Sequence, residues 1–264
     1  MILASDAVLA AKSRFARKTP AGGAIWRTEF FGPPPSPASA TSVDEDAGNA
    51  LIYADPAPGE VRLPQAFLVE QEAGALVKPH FHFVDQFQIV VDGDGSFGRH
   101  AVQPITAHFA SACTAYGPIV PGPEGLKYFS LRASADSTGA QFVPAAKDKM
   151  RKLPKRHMLS ERIAVSAPDA LSAMPAAVLE TVKAEPDGLA VLMLRAPPST
   201  VCALPDPRQG GGQSLIVAAG AIAHEGAAMG RWSALFVSCD EPAYEVHAGP
   251  AGAEVLVLQY PRPG

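Results

Sequence analysis

The sequence predicts an all-β protein made of two tandem β-sandwich or β-barrel domains, produced by internal duplication and joined by a short helical linker. Three observations lead to this prediction. The chain has 264 residues, which suits two small domains better than one. Its 26 prolines and 23 glycines separate many short apolar runs, a pattern typical of β-structure rather than of long helices. The two halves of the chain also align with each other at a constant spacing.

The internal repeat is defined by pairs of identical residues that are all 127 positions apart. The pairs preserve turn glycines, a Gly-Pro step and the apolar strands between them, which favours duplication over two unrelated β-segments with similar turns. The matched pairs are Gln86 with Gln213, Gly93 with Gly220, Phe109 with Phe236, Ser111 with Ser238, Gly122 with Gly249, Pro123 with Pro250, Gly125 with Gly252, and Leu131 with Leu258.

The repeat divides the chain into two predicted domains, residues 61–145 and residues 187–264. The segment 146–186 between them is rich in charge, Ala and Pro and is interpreted as a linker. Its SAPDALSAMPAAVLE stretch is able to form a short helix, capped by Ser166 or Asp169. Residues 1–60 are predicted to form an N-terminal arm, with one or two strands packing on the barrels.

The net charge of −4 and the pI near 6.0 offer no general attraction to phosphate backbones, so we expect no nucleic-acid partner. The basic run at 147–157, KDKMRKLPKRH, is interpreted as a solvated linker or helix face, with an anion-binding patch as the alternative.

The cysteines predict neither a disulfide framework nor a cysteine zinc site. Cys113, Cys202 and Cys239 are far apart, odd in number and without CxxC spacing. The longest apolar run, 215–223, is too short to span a bilayer, and the first residues lack the pattern of a signal peptide. We therefore expect a cytoplasmic protein without a membrane partner.

The segment 74–93, GALVKPHFHFVDQFQIVVDG, contains the candidate functional residues. Side chains alternate between the two faces of a strand, so His80, His82, Gln86 and Gln88 are predicted to share one face. The other face carries apolar side chains that another layer must cover: Phe81, Phe83, Phe87, Ile89 and Val91. The polar face is therefore predicted to lie inside the barrel.

These residues resemble the first motif of the cupins, in which G, H-x-H, E and G recur at fixed spacing. The resemblance implies that the two tandem domains are cupin-type jelly-roll β-barrels. Gly74, His80, His82, Gln86 and Gly93 fall at those spacings, with Gln in place of Glu. The resemblance implies that the two histidines and Gln86 are ligands of a divalent metal, with Zn, Fe, Ni and Cu as candidates. An amide brings no negative charge, so affinity should be lower than with a carboxylate.

The second cupin motif is matched only loosely by YGPIVPGPEGLKYFS. Its histidine position falls on Leu126 and its asparagine position on Ser130, so the fourth ligand is missing. His108 is a candidate for a third nitrogen, with a satisfied core histidine as the alternative. Gln88, His108 and Tyr116 are predicted to line a ligand pocket, although Tyr116 could equally pack in a turn.

The second copy lacks the histidine pair, because His80 aligns with Pro207 and His82 with Gln209. We therefore expect a degenerate, structural second barrel. The first barrel is expected to act on a small organic molecule, and one interpretation is a metal-dependent enzyme with oxygenase- or isomerase-like chemistry. The alternative is a metal-free cupin that binds a small ligand or is purely structural. No residue is assigned a catalytic role, and a homodimer remains an open alternative.

Overall fold

The computed structural model describes residues 1–18, 23–33, 43–44, 49–50 and 61–263. It divides into two compact units. Residues Ser13–Arg162 form one, called the first-barrel unit here. The other, called the second-barrel unit, combines Met1–Lys12 with Ile163–Gly264. The chain thus divides within the segment predicted to be the linker.

The described residues are mainly β-strands, and the all-β prediction is confirmed. The strands are β1 (Ile2–Ser5), β2 (Phe15–Lys18), β3 (Ala24–Phe31), β4 (Val43–Asp44), β5 (Asn49–Ala50), β6 (Gln65–Gln71), β7 (His80–Phe81), β8 (Gln86–Phe97), β9 (His100–Val102), β10 (Thr106–Ala110), β11 (Ile119–Arg132), β12 (Ala140–Phe142), β13 (His157–Leu159), β14 (Val178–Ala184), β15 (Ala190–Ala196), β16 (Val201–Ala203), β17 (Gln213–His224), β18 (Ala227–Gly230), β19 (Ala234–Val237) and β20 (Glu245–Gln259). The α-helices among the described residues are α1 (Ala7–Ala10) and α2 (Pro168–Ser172), and short 3-10 helices cover Ala11–Ser13, Lys147–Lys149 and Pro207–Gln209.

The first-barrel unit contains two antiparallel sheets. The larger has the order β13-β10-β8-β11-β6-β3-β2, with β9 paired to β8, and the smaller has the order β4-β5-β12-β7. The second-barrel unit contains the sheet β1-β19-β17-β20-β15-β14, with β16 on β20 and β18 on β17. The series β10-β8-β11-β6 is therefore repeated as β19-β17-β20-β15.

Strand register supports the internal duplication. Gln88 lies opposite Ser130 on β11, and Leu215 lies opposite Val257 on β20, so both partners shift by 127 positions. Each pairing also has an irregularity at the same place, between residues 127 and 128 on β11 and between residues 254 and 255 on β20. Bulges depend on local backbone detail, so two bulges in one register favour a common origin.

Gly93 marks a close approach of two strands that recurs in both units. A Cβ atom on Gly93 would lie 2.2 Å from the carbonyl oxygen of Gly125, and one on Gly220 would lie 2.0 Å from that of Gly252. Both positions have positive φ, +69° and +65° respectively. Only glycine meets both demands without strain.

We expect Gly93→Ala to lower the free energy of unfolding by about 2 kcal/mol, because strain and backbone overlap add. Gly74→Ala is the matched control, since Gly74 has φ +82° but no atom within 4 Å of an added Cβ. It should cost about 1 kcal/mol, from strain alone. Urea unfolding measures both values, and equal losses would show that the overlap is relieved without cost.

Apolar side chains fill the sandwich interior of each unit. In the first-barrel unit the cluster includes Phe67, Val90, Ile119 and Tyr128, all buried. In the second-barrel unit it includes Leu192, Leu194, Leu215, Val217, Leu235, Val255 and Val257. The strands of the second unit therefore bury a large apolar cluster.

The predicted helix is shorter than its sequence pattern, and its predicted caps are wrong. α2 begins after Ala167, which makes no side-chain capping bond, and Asp169 lies in the first turn. The hydroxyl of Ser166 donates instead to the Glu254 carboxylate at 2.7 Å. That carboxylate is buried and also binds Arg195. The Ser166 side chain is therefore hydrogen-bonded to Glu254 and does not cap the helix.

The N-terminal residues contribute strands to the larger sheet of the first-barrel unit and to the sheet of the second-barrel unit. β1 pairs with β19 in the second-barrel unit, whereas β2 and β3 extend the sheet of the first-barrel unit through β6. The predicted arm also includes residues 19–22, 34–42, 45–48 and 51–60, which lie outside the described residues. Among the helices that are described, none is long and apolar enough to cross a bilayer.

Candidate functional site

The histidine motif lies where one strand stops and another starts. β7 ends at Phe81 and β8 begins at Gln86, so the predicted continuous strand is interrupted by a bend. The interruption is stabilised by non-strand partners: Asp136 accepts from the Phe83 N–H at 3.2 Å, and Cys113 N–H donates to the His82 carbonyl at 2.7 Å. Simple alternation therefore does not extend through the bend, although the polar side chains still converge.

The structure brings together all six residues that the sequence selected as metal ligands or pocket residues. None of them is more than 7% exposed: His80, His82, Gln86, Gln88, His108 and Tyr116. Buried polar groups require hydrogen-bond partners, so the partner of each atom defines what the cluster can do.

Tyr116 connects the first histidine to the glutamine. The His80 Nδ1 lies 2.9 Å from the Lys78 carbonyl, which can only accept, so Nδ1 carries the proton and Nε2 is an acceptor. The Tyr116 hydroxyl, 2.8 Å away, donates to that Nε2. The amide nitrogen of Gln86 donates to the same hydroxyl oxygen at 2.6 Å. These bonds fix the orientation of Gln86 and leave its Oε1 on the other side.

Arg132 lies against that Oε1. Its guanidinium is 2% exposed and donates to Gln86 Oε1 from Nε at 2.9 Å and from Nη2 at 2.6 Å. Nη2 is also 3.1 Å from His82 Nε2, and Nη1 donates to Gln65 Oε1 at 2.6 Å. One buried cation thus contacts three side chains of the cluster.

Asp136 supplies the negative charge next to His82. Its Oδ2 accepts from His82 Nδ1 at 3.0 Å, and its Oδ1 accepts from the hydroxyl of Thr138 at 2.7 Å. Burial would raise the pKa of this carboxyl, but the bond from His82 and the charge of Arg132 outweigh burial and hold the pKa well below its usual range. Asp136 is therefore ionised, and His82 presents Nε2 as an acceptor.

Both histidines of the motif are neutral at ordinary pH. Burial, followed by the nearby His82, lowers the pKa of His80 to about 3. Burial, followed by the charge of Arg132, lowers the pKa of His82 to about 4. Burial also raises the pKa of Tyr116 well above its usual value, so its hydroxyl keeps its proton.

His108 continues the cluster toward β13. Its Nδ1 donates to Gln88 Oε1 at 2.8 Å, and its Nε2 lies 2.5 Å from the Nε2 of His157. Its ring centroid is 5.1 Å from that of Tyr116. Burial and the neighbouring His157 lower the pKa of His108. Both ring nitrogens of His108 are thus hydrogen-bonded to Gln88 and His157 and not directed at His80 or His82. This corresponds to the alternative expectation, a core histidine whose hydrogen bonds are satisfied.

The arrangement does not fit a bound metal ion. The three atoms predicted to be ligands already accept hydrogen bonds: His80 Nε2 from Tyr116, and His82 Nε2 and Gln86 Oε1 from Arg132. A divalent cation at these atoms would also lie beside a buried guanidinium. Among the residues that the structure describes, no three His, Cys, Asp or Glu side chains are grouped as metal ligands.

The sequence prediction missed Arg132, Asp136 and Gln65. The position predicted for the second-motif histidine, Leu126, is 1% exposed and belongs to the apolar core. Arg132 ends the apolar run LKYFSLR, where a charged residue with the parity of Ser130 was an available signal. No comparable signal marks Asp136, which follows the strand in a loop.

The equivalent positions in the second-barrel unit carry leucines and glutamines instead of histidine and arginine. Strand register places Leu215 and Leu235 where the first unit has Gln88 and His108. It also places Gln259 where the first unit has Arg132, and Gln213 Nε2 donates to Gln259 Oε1 at 3.0 Å. The sequence has Pro207 and Gln209 at the positions equivalent to His80 and His82.

The structure is similar to that of a putative dioxygenase from Nostoc punctiforme, with a TM-score of 0.56 and 9% identity over 98% of this chain and 78% of that chain. It is also similar to YhhW from Escherichia coli, with a TM-score of 0.54 and 14% identity over 100% of this chain and 99% of that one. The nickel(II) complex of the bacterial pirin YhhW gives a TM-score of 0.52 and 14% identity, with full coverage of both chains. No family model and no curated protein matches the sequence.

Proposed function

We propose that this chain, which has the cupin fold in two tandem barrels, binds a small organic molecule in its first barrel without a metal ion. The second barrel is structural. The observation that carries this proposal is the contrast between the two interiors at register-equivalent positions. Gln88 and His108 are hydrogen-bonded to each other in the first, whereas Leu215 and Leu235 pack in the second.

Stability does not account for the polar cluster of the first barrel. Burying a guanidinium, a carboxylate and three imidazoles costs desolvation energy that their mutual bonds only partly return. Well-packed apolar residues of similar volume are often equally or more stabilising at such places. The second-barrel unit shows that the same strand arrangement accepts leucines. A ligand that uses the polar groups explains why the first barrel differs.

The side-chain amide of Gln65 indicates which kind of hydrogen-bonding group the ligand carries. Its Oε1 accepts from Arg132, so the amide cannot be turned over, and its buried Nε2 has no hydrogen-bond partner within the described residues. An unpaired buried N–H is costly unless an acceptor is supplied. A carbonyl, carboxylate or hydroxyl oxygen of a ligand would meet this need.

The alternative is a metal-dependent, oxygenase- or isomerase-like enzyme. Two features support this alternative, the His-x-His motif and the His82–Asp136 pair. A carboxylate that accepts a hydrogen bond from one ring nitrogen often orients an imidazole whose other nitrogen binds a metal. The hydrogen bonds from Arg132 and Tyr116 favour the metal-free proposal. Stoichiometric metal in protein purified without a histidine tag would favour the enzyme instead.

We expect fragments with oxygen acceptors to bind the untagged protein. Saturation-transfer NMR with small carboxylic acids, phenols and polyols measures this binding. Affinity should fall at least about tenfold in Gln65→Leu, because a lost hydrogen bond in a buried site is worth about 1.5 kcal/mol.

Gln213→Leu is the matched control, since it removes an interior amide from the second barrel. It should leave fragment binding unchanged, and circular dichroism checks that both variants fold. The proposal fails if no fragment binds, or if Gln65→Leu binds fragments as well as the unaltered chain does.

A further inference from the structure

We infer that the first barrel contains a latent metal site that is suppressed by Arg132, whose guanidinium lies against the atoms that would coordinate the ion. This inference rests on the metal-free character of the proposed function. It adds that one residue is responsible and that the remaining side chains would bind a metal if it were replaced. Arg132 acts as a positioning residue, because it organises His82 and Gln86.

The geometry places the guanidinium at two of the three candidate donor atoms. His82 Nε2 has a single lone pair, and Nη2 of Arg132 lies 3.1 Å from it. Gln86 Oε1 accepts from both Nε and Nη2 of the same group. A metal ion could reach these atoms only if the guanidinium moved away. Arg132 is 2% exposed and is also bonded to Gln65, so such movement is opposed.

The positive charge of Arg132 is a second reason why a metal ion does not bind. The guanidinium stays protonated at all accessible pH values, and two like charges this close in a protein interior repel strongly. Gln86 brings no compensating negative charge. Asp136 is bonded to the other ring nitrogen of His82, where it can orient the imidazole but is not placed beside Nε2. The cluster therefore disfavours a divalent ion even though two imidazoles are present.

Tyr116 is a weaker obstacle than Arg132. Its hydroxyl is neutral and donates a single bond to His80 Nε2. Because a hydroxyl hydrogen can rotate, loss of this bond requires no displacement of a charged group. Removing the hydroxyl alone should therefore leave the site unable to hold a metal.

The second barrel shows that the strand pair accepts a neutral residue at this position. Gln259 occupies the register-equivalent place of Arg132, and it is hydrogen-bonded to Gln213, the equivalent of Gln86. Arg132→Gln thus copies a side chain that the same architecture already holds. Adding Gln86→Glu supplies the missing carboxylate and completes two imidazoles and one carboxylate.

The test is titration of Ni²⁺ and Zn²⁺ into untagged protein by isothermal calorimetry. The unaltered chain, Tyr116→Phe and Gln86→Glu should show no saturable binding, because each keeps the guanidinium. The double variant Arg132→Gln/Gln86→Glu should bind one equivalent saturably, with a Kd at least about 100-fold below the highest metal concentration at which the unaltered chain shows no binding, since a positive charge is lost and a negative one gained. Co²⁺ absorption provides a readout of nitrogen ligation that a structural effect would not produce.

The outcomes separate the two proposals. Stoichiometric metal in the unaltered chain overturns both this inference and the metal-free function. A folded double variant without metal binding overturns the inference alone and leaves ligand binding by the first barrel intact. If the double variant does not fold, Arg132→Gln is the second route. Saturable Ni²⁺ binding by Arg132→Gln, with a Kd at least about tenfold below the highest concentration at which the unaltered chain shows none, would support the inference, and no saturable binding would overturn it.

Discussion

Acidification from about pH 7 to about pH 5 is expected to destabilise the first-barrel unit by about 5 kcal/mol, which is a large part of the stability of a typical domain. The cause is three buried histidines, His80, His82 and His108, whose pKa values burial lowers below 6.5. In the unfolded chain these groups take up protons near pH 6.5. In the folded chain His80 and His82 do so only near 3 and 4.

The lowered histidine pKa values determine that stability decreases as the pH falls. A histidine with a depressed pKa in the folded state contributes stability that is fully present above the unfolded pKa. That stability is lost as the pH falls toward the folded pKa. Each histidine contributes a limiting slope of about 1.4 kcal/mol per pH unit below the unfolded pKa, but the slope averages only about 1 between about pH 7 and about pH 5, where the unfolded histidine is still taking up its proton. Three histidines therefore contribute about 5 kcal/mol over the two pH units. The pKa of Asp136 is also lowered, but its contribution is lost only at lower pH, below the range considered.

The two tryptophans allow each unit to be followed separately. Trp26 lies in the first-barrel unit and Trp232 in the second, and the chain has only these two. In Trp232→Phe protein, urea unfolding monitored by fluorescence reports on the first barrel. In Trp26→Phe protein it reports on the second. The second barrel should show a much weaker pH dependence, because His224 and His247 are not buried.

The double variant Gln88→Leu/His108→Leu provides the internal control. It copies the Leu215–Leu235 pair of the second barrel and removes one of the three buried histidines. The slope should decrease by about one third. Equal slopes for the two units, or an unchanged slope in the double variant, would contradict this assignment of the acid sensitivity.

Asp136→Ala is expected to lower the free energy of unfolding of the first-barrel unit by about 3–5 kcal/mol. The carboxylate is 1% exposed and accepts from His82, from the Phe83 N–H and from Thr138. Its removal leaves those donors without their acceptor and takes away a negative charge near the buried guanidinium of Arg132.

Asp136→Asn should show an intermediate loss, because its amide oxygen can replace only part of the carboxylate. Asp148→Ala is the matched surface control and should change stability by less than about 0.5 kcal/mol, since Asp148 is exposed. Urea unfolding of Trp232→Phe protein measures all three. A loss below about 1 kcal/mol for Asp136→Ala would show that water replaces the carboxylate without penalty.

The histidine cluster could be predicted largely because its members are close in sequence or in strand register. His80, His82, Gln86 and Gln88 lie within one short segment, where motif spacing and side-chain alternation both apply. The prediction extended to His108 and Tyr116, and the structure places them against this segment. The bend after Phe81 was not predicted, because it depends on the distant carboxylate of Asp136.

The sequence by itself determined the all-β class, the duplication and the segment that contains the functional residues. Periodicity, turn residues and a constant spacing are local or repeated properties, so one chain is enough to show them. The state of the site depended on tertiary structure, because Arg132 reaches Gln86 across 46 positions and Asp136 reaches His82 across 54. Likewise Glu254 takes the Ser166 hydroxyl from 88 positions away. Hydrogen bonds between such distant side chains form only when the chain has folded. They determine which lone pairs of the site remain available to a ligand.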